Sequence, residues 1–190
     1  GREYQGGGGR RMNYSWQNLK RRIADIKSPV GAEIGVHRGD FSRRVLENVP
    51  GCTLYMVDMW SPSTYDGIPA DAATPERIRE YQDNWLDNYM AALKVALVHA
   101  PRGIPIRGRS LEVAASLAGR VKLDFVYLDA AHDEMSLLCD ISAWVKLVKP
   151  GGWIGGHDYG DNFPGVVAAV DKVFPGAEID SDFTWWWRVV

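Results

Sequence analysis

The sequence has little of several features that define particular classes of protein. Among its 190 residues are only two cysteines, Cys52 and Cys139, in dissimilar surroundings, which argues against a disulfide framework and against a cysteine-based zinc site. No uninterrupted apolar run approaches the roughly 20 residues that a membrane-spanning helix needs, and the polar, glycine-rich start has no apolar segment typical of a signal peptide. We therefore expect a cytoplasmic protein with reduced thiols and no membrane partner.

Neither sign of charge is in excess. The chain has 22 Lys and Arg against 24 Asp and Glu, a formal net charge of -2. Because nucleic acid is attracted mainly by clustered positive charge, the overall balance does not favour it as a partner. A local basic cluster near the N-terminus still leaves a nucleic-acid contact open at that end.

Two residue types are abundant instead: 20 glycines and 8 tryptophans. Five of the glycines fall in the first nine residues, so we interpret 1–11 as a flexible leader and 12–190 as one domain. The triplet Trp185, Trp186 and Trp187 alternates along the last apolar run. In a strand, this alternation would turn at least one ring outward. It predicts a homo-oligomer contact at the far edge of the sheet.

Short apolar runs alternate with helical patterns along the chain, as is typical of a parallel α/β sheet. The run LDFVYL at 123–128 is nearly continuous, which predicts a central strand covered on both faces. The Lys-Pro-Gly-Gly sequence at 149–152 is predicted to end a helix just before the fifth strand. In full, strands are predicted at 30–36, 52–60, 104–107, 123–128, 153–156 and 183–190.

One segment, 61–100, interrupts this alternation because it is longer than a simple crossover. Thr74 is a suitable N-cap and Pro75 a suitable first residue for a helix within it. Trp85 and Tyr89 then fall on one face of that helix. The segment is interpreted either as a lid-like insertion over a pocket or as a long crossover helix with a decorated loop.

Glycines and carboxylates follow the predicted strands at the edge where open parallel sheets bind ligands. The first strand is followed by the spacing Glu33-x-Gly35-x-x-x-Gly39, which differs from the dinucleotide fingerprint Gly-x-Gly-x-x-Gly. The second strand ends in Asp58, a carboxylate in place to accept bonds from both ribose hydroxyls of a nucleoside. Each feature alone also fits a tight turn or a solvent-facing acid. Together they favour an adenosine site.

Five segments resemble class I S-adenosylmethionine-dependent methyltransferases, and most closely the small-molecule, macrocin-type O-methyltransferase branch. They are GAEIGVHRGDFS, VDMW, LDFVYLDAAHD, KPGGWIGGHDY and PGVVAAVDKVF. The resemblance covers roughly 30–174 and leaves 61–100 unmatched. It implies a Rossmann-like α/β fold, with a seven-stranded, mostly parallel sheet and helices on both faces. It also implies S-adenosyl-L-methionine as cofactor and methyl transfer to a small-molecule acceptor, at a hydroxyl.

The resemblance assigns cofactor-binding roles to five residues. Glu33, Gly35 and Gly39 would cradle the methionine part of the cofactor. Asp58 would hold the ribose, and Ser110, after the third strand, would lie near the adenine. Ser110 is equally suited to be the N-cap of a helix that begins at Leu111.

The resemblance also implies a divalent cation, held by Asp129 and Asp158 at the ends of the fourth and fifth strands. Such oxygen ligands suit Mg²⁺. His157 stands where relatives often have a second acid or amide, so the site accepts a softer ion or His157 has another task. The predicted catalytic residues are Asp129, with His132 or His157 as general base near neutral pH. The alternative for His132 is an idle position at the start of a helix.

Three other functions fit part of the sequence. A nucleic-acid methyltransferase is supported only by the basic cluster near the N-terminus. An NAD(P)-dependent oxidoreductase would also have a glycine turn and a strand-end acid, although the glycine spacing argues against it. A non-catalytic module that binds an adenosine cofactor would keep the site without transferring a methyl group.

Overall fold

A computed structural model describes residues 15–61 and 75–190, with side chains from residue 84 onward in the second range. The predicted leader 1–11, Thr74 and most of the loop before it lie outside the described residues. The helices are α1 (Ser15–Arg22), α2 (Asp40–Asn48), α3 (Pro75–Val98), α4 (Ser110–Leu117), α5 (Glu134–Trp144) and α6 (Pro164–Val173). The strands are β1 (Val30–Ile34), β2 (Thr53–Asp58), β3 (Gly103–Arg107), β4 (Leu123–Leu128), β5 (Val148–Gly156), β6 (Glu178–Ile179) and β7 (Trp185–Arg188).

The seven strands form one sheet in the order β3-β2-β1-β4-β5-β7-β6. The first five are parallel, and β7 pairs antiparallel with both β5 and β6. The direction of winding reverses between β1 and β4, and this switch point is where open α/β sheets form a ligand crevice. The predicted fold class is confirmed.

Helices cover both faces of the sheet. One face packs against α1, α2 and α3, the other against α4, α5 and α6. In β1, Ala32 and Ile34 point to the face that α4, α5 and α6 cover. Glu33, between them, therefore points to the face that α1, α2 and α3 cover. In β4 all six residues are buried, as a strand covered on both sides requires.

The Lys-Pro-Gly-Gly sequence has a different place from the one predicted. Helix α5 ends at Trp144, a 3-10 turn follows (Val145–Leu147), and β5 already begins at Val148. The pairing register of β5 with β4 shifts between Val148 and Trp153, so the segment is an irregularity inside the strand. Gly151 supplies the positive φ of 81° that this irregularity needs.

Helix α3 begins at Pro75, as predicted. Ala92 and Ala96 are buried against the core, so this half of the helix is the crossover between β2 and β3. The choice between a lid and a decorated crossover depends on the loop before Pro75, which lies outside the described residues.

The tryptophan triplet does not face outward, so the reason given for an oligomer contact is wrong. Trp185 and Trp186 are each fully buried, one in each core, because helices cover both faces of the sheet. Trp187 is half-buried and stacks on Phe174, with 5.4 Å between ring centroids. The triplet also lies inside the sheet, since β6 is the edge strand. A homo-oligomer stays a prediction without support from these rings.

Both cysteines are free thiols, Cys52 buried and Cys139 exposed. Among the helices of the described ranges, none combines the length and the apolar character needed to cross a membrane.

Candidate active site

The turn after β1 brings the backbones of β1 and β4 into close contact. Gly35 has a φ of 92°, and a Cβ placed on it would lie 2.2 Å from the carbonyl oxygen of Asp129. Gly39 also has a positive φ, 83°, and is the N-cap of α2. Glycine is required at Gly35 for both its conformation and the absence of a side chain. The amino end of α2 therefore lies at the carboxyl edge of the sheet.

Asp58 lies beside this turn at the end of β2. One carboxylate oxygen accepts the backbone N–H of His37 at 2.8 Å and the other accepts that of Trp60 at 2.9 Å. Burial raises the pKa of Asp58, against the opposing effect of these two N–H groups. Each carboxylate oxygen retains acceptor capacity, as a ribose diol requires.

Glu33 lies below the turn, with 2% of its surface exposed. Its carboxylate accepts a hydrogen bond from the hydroxyl of Ser42 on α2. Burial raises the pKa of Glu33 well above its usual value, opposed by Ser42 and reinforced by the charges of Asp129 and Asp58. In this structure Glu33 joins β1 to α2 under the glycine turn. Its predicted contact with the methionine part of the cofactor stays a prediction.

On the other side of the switch point, Asp129, His132 and Asp158 come together. One ligand atom from each lies within 4.8 Å of the other two. Nε2 of His132 is 2.8 Å from Oδ2 of Asp158, and the His132 ring packs on Phe163 at 4.7 Å. Asp158 has a φ of 63°, a conformation uncommon outside glycine and often found at functional sites. The structure thus brings both predicted metal ligands together and adds His132 to them.

His157 lies next to this group but outside it. Its Nδ1 is 2.9 Å from Oδ1 of Asp158, so Asp158 bonds to both histidines. Burial works to raise the pKa of Asp158, but the hydrogen bonds from His132 and His157 hold it well below its usual value. Burial alone would lower the pKa of His157, but Asp158 and Asp129 raise it above its ordinary value.

Asp129 has the most unusual ionisation in the group. Burial raises the pKa of Asp129 to about 7; the charges of His157 and His132 oppose the rise, and that of Asp158 adds to it. A strongly perturbed carboxylate at a strand end, with two histidines nearby, is typical of a functional site.

Ser110 is the first residue of α4, and its N-cap is Arg109, without a side-chain capping bond. The alternative of Ser110 as N-cap is therefore wrong. Its hydroxyl instead donates to Asp140 on α5 and accepts the indole N–H of Trp144 at 2.8 Å. The predicted role of Ser110 near an adenine stays a prediction.

Aromatic rings line the edge of the site next to Asp58. Trp60 donates its indole N–H to the carbonyl of His37 at 2.8 Å and packs on Tyr89 of α3, with 4.9 Å between centroids. The guanidinium of Arg107 lies over the rings of Trp85 and Tyr89, at 4.8 and 5.7 Å. These contacts attach α3 to the ends of β2 and β3, next to the predicted ribose site.

Two buried hydrogen bonds, between Ser42 and Glu33 and between Ser110 and Asp140, were not predicted from the sequence. Ser42 under Glu33 and Asp140 under Ser110 are both buried polar residues on otherwise apolar helix faces. Asp140 lies one turn before Trp144, on the face that carries Leu137 and Ile141. An acid at such a position requires a hydrogen-bond partner, and that is the signal available in the sequence.

Comparisons with known proteins agree with this arrangement. A family described as a methyltransferase domain matches residues 32–159, two thirds of the chain. No match was found among curated proteins. The fold of the O-methyltransferase NovP is similar, with a TM-score of 0.63, 17% identity, and coverage of 93% of this chain and 79% of that one.

Two further solved structures share the fold. One is CalS11, described as a TDP-rhamnose 3'-O-methyltransferase of calicheamicin biosynthesis, with a TM-score of 0.59, 18% identity, and coverage of 92% of this chain and 77% of that one. The other is the MycE methyltransferase of mycinamycin biosynthesis, in complex with Mg and S-adenosylhomocysteine (SAH). It has a TM-score of 0.55 and 16% identity, and the match covers 93% of this chain and 46% of that one.

The family match decides between the two enzyme classes that the sequence left open, and the oxidoreductase alternative is wrong. The glycine turn, the acid at the end of β2 and the strand order all belong to the same architecture. The chain is therefore a member of the methyltransferase-domain family, an S-adenosylmethionine-dependent methyltransferase of the class I fold.

Proposed function

We propose that this enzyme methylates a hydroxyl oxygen of a small molecule, at a site where Asp129, His132 and Asp158 hold a divalent cation. The observation that carries the proposal is this group of two carboxylates and one imidazole within 4.8 Å of one another. It lies at the same sheet edge as the glycine turn and Asp58. The fold neighbours support oxygen as the acceptor atom, since NovP and CalS11 are described as O-methyltransferases.

The β1–β2 side of the switch point is assigned to the cofactor. The glycine turn leaves room for a ligand close to the backbone, and the positive end of the α2 dipole lies there. Each carboxylate oxygen of Asp58 accepts one backbone N–H, from His37 or from Trp60, and has a further lone pair. These lone pairs accept hydrogen bonds from the ribose hydroxyls. Glu33 joins β1 to α2 through the hydroxyl of Ser42, beneath the glycine turn. When bound, S-adenosylmethionine supplies the methyl group from its sulfonium sulfur.

The residues on the β4–β5 side fit a divalent cation. Two carboxylates provide the oxygen ligands that hard cations prefer. The imidazole of His132 adds a nitrogen ligand, which favours Mn²⁺, Co²⁺ or Zn²⁺ more than an all-oxygen set would. A cation bound here supplies a Lewis acid that lowers the pKa of an acceptor hydroxyl.

Proton removal is assigned to His157, because His132 would bind the cation. His157 bonds to Asp158 through Nδ1, which fixes the orientation of its ring. The raised pKa of His157 makes it a stronger base than an ordinary histidine. The chain's main contribution is position, because the acceptor oxygen must lie in line with the methyl group.

The cofactor assignment is tested by isothermal titration with SAH and, separately, with NAD. We expect SAH to bind the full chain and NAD not to bind. Asp58→Asn should weaken SAH about 10- to 100-fold, because an amide nitrogen replaces one acceptor and faces a backbone N–H. Asp161→Asn, an exposed acid elsewhere on the same edge, is the matched control and should bind as the wild type does.

The acceptor assignment is tested by methyl transfer from labelled cofactor to a panel of small hydroxyl compounds, sugars among them. Transfer that His157→Gln or His132→Gln abolishes, with SAH binding retained, would agree with the proposal. SAH binding with no transfer to any hydroxyl compound would favour the non-catalytic binding module instead.

A further inference from the structure

Helix α3 has a row of exposed apolar side chains that the methyl-transfer site does not use. Leu86, Met90 and Leu97 are each more than half exposed, and Leu93 between them is half-buried. We call these four residues the α3 row. Exposed apolar side chains on other elements stand singly: Leu111 on α4, Met135 on α5, Val173 on α6 and Ile179 on β6. Single exposed side chains are ordinary, whereas a contiguous row marks an interaction surface.

The spacing of the α3 row is that of a seam between two helices. Its members follow one another at intervals of four, three and four residues, which is the a/d repeat by which paired helices pack. Leu86 and Leu93 take the d positions, and Met90 and Leu97 take the a positions. The face that α3 buries in its own chain is a different one, which includes Ala92 and Ala96.

The α3 row lies on the flank of the helix that is turned away from α2. Asn88 accepts a hydrogen bond from Arg38 at 3.1 Å, and Val95 lies against Gly39 at the start of α2. At 3.6 residues per turn, the row falls on the opposite flank from these two contacts. This flank faces the outer edge of the sheet, because α3 packs on β3 through Ala96 and β3 is the edge strand.

Two opposite charges stand beside the row. Asp87 and Lys94 are both exposed, and each follows a d position, which makes it an e position. They are two turns apart, about 10 Å along the axis, so they cannot pair within one helix. Neither forms an ion pair with another side chain in the described part of the chain.

An antiparallel pair of identical helices matches both the row and the charges. In such a pair Met90 opposes Leu93 of the other copy, and e positions lie beside e positions. Asp87 of each copy then lies beside Lys94 of the other, and two-fold symmetry repeats this contact. In a parallel pair e positions meet g positions, and Lys94 would face Tyr89 instead.

We propose that two copies of this chain associate through the α3 row, antiparallel and about a two-fold axis. The contact lies at the opposite end of the sheet from the tryptophan triplet, because α3 packs beside β3 and the triplet lies next to β6. Burial of the row drives the association, and the Asp87–Lys94 contacts fix its orientation. The inference goes beyond the proposed function and does not depend on it.

The test measures molecular mass by sedimentation equilibrium, at low salt, where exposed ion pairs are screened least. The row is short, so we expect a wild-type dimer with a dissociation constant of about 1–100 μM. Met90→Glu puts a charge in the seam at an exposed position, so it should fold as the wild type does and weaken the dimer more than about tenfold. Met135→Glu, at an exposed and single position on α5, is the matched control and should dimerise as the wild type does.

Charge reversal tests the orientation. Asp87→Lys sets like charges together at both contacts, and so does Lys94→Asp, so each variant alone should dimerise at least about tenfold more weakly. An equal mixture of the two variants has opposite charges at both contacts and should form a heterodimer. The double variant Asp87→Lys/Lys94→Asp should dimerise as the wild type does.

Each contrary result identifies what is wrong. A wild type that stays monomeric at about 100 μM overturns the proposal. If Met90→Glu then also lowers the melting temperature and Met135→Glu does not, the row is covered by the chain itself, for example by residues 62–74. A dimer that Met90→Glu leaves intact lies on another surface, and a mixture of the two charge variants that remains monomeric excludes the antiparallel pair. None of these measurements uses a cofactor, so a failure of the proposed function would leave them unchanged.

Discussion

At the scale of single residues, the site depends on positions where an added side-chain atom would displace the backbone. Gly35 is the strictest of them, because the space for a Cβ is already occupied by the carbonyl of Asp129. The strand ends that carry the cofactor half and the acid–histidine half are therefore in direct contact at this glycine. A change here affects both halves together.

We predict that Gly35→Ala destabilises the protein by more than 3 kcal/mol and abolishes SAH binding. The substitution combines a left-handed backbone, which costs an L-residue about 1–2 kcal/mol, with a Cβ placed 2.2 Å from a carbonyl oxygen. Gly119→Ala is the matched control, since Gly119 has a φ of 74° but nothing within 4 Å of the added atom. Urea unfolding should show a loss of about 1 kcal/mol for the control. Equal losses in the two variants would contradict the clash.

The residues of the site could be predicted to the extent that they end strands. Asp58, Asp129 and Asp158 follow apolar runs, so the edge they share was readable from the sequence. The grouping of His132 with Asp158 was not, because it depends on how the loop before α5 folds back towards β5. Spacing along the chain carries no information on a contact between residues 26 positions apart.

At the scale of whole elements, the C-terminal side of the sheet is the part that the sequence describes least well, since β6 was not predicted and the packing of β7 was predicted wrongly. Alternation in Trp185–Trp187 indicated a strand correctly, but the outward ring did not follow from it, because a sheet covered on both faces buries side chains of both orientations. The structure covers both faces, with α1 on one side and α6 on the other. The same limit explains β5, where the irregular Lys-Pro-Gly-Gly segment pairs within the sheet and resembles a turn when taken alone.

We predict that Trp186→Ala costs about 3–5 kcal/mol, since a fully buried ring of this size leaves a large cavity. Its ring also lies under the guanidinium of Arg22, 5.1 Å away, so the variant loses a contact between α1 and the sheet. Trp187→Ala, the neighbouring and half-buried ring, should cost distinctly less. Denaturant unfolding of the two variants measures the difference. A cost at Trp187 equal to that at Trp186 would mean that Trp187 is covered by something further, such as a second copy of the chain.

At the scale of the whole molecule, the site is assembled from two halves of the sheet that wind in opposite directions. The glycine turn follows β1 and Asp58 ends β2, while the acids and histidines follow β4 and β5. A ligand at either half stabilises only the folded state, in which both strand ends are in place. Two ligands that bind at separate halves should therefore add their stabilising effects.

We predict that Mn²⁺ and SAH each raise the melting temperature, and that together they raise it by about the sum of the two shifts. A ligand at 100 times its dissociation constant stabilises a fold by about 2.7 kcal/mol, which corresponds to roughly 5–11 °C for a domain of this size. A chelator should reverse the Mn²⁺ part alone.

Asp129→Asn and His132→Gln should each abolish the Mn²⁺ shift and leave most of the SAH shift, because their side chains belong to the cation group. Asp161→Asn, with an exposed carboxylate outside the group, should retain both shifts. A wild type that SAH stabilises and Mn²⁺ does not would remove the cation from the mechanism while leaving the methyltransferase site intact. Proton removal would then depend on the two histidines that Asp158 orients.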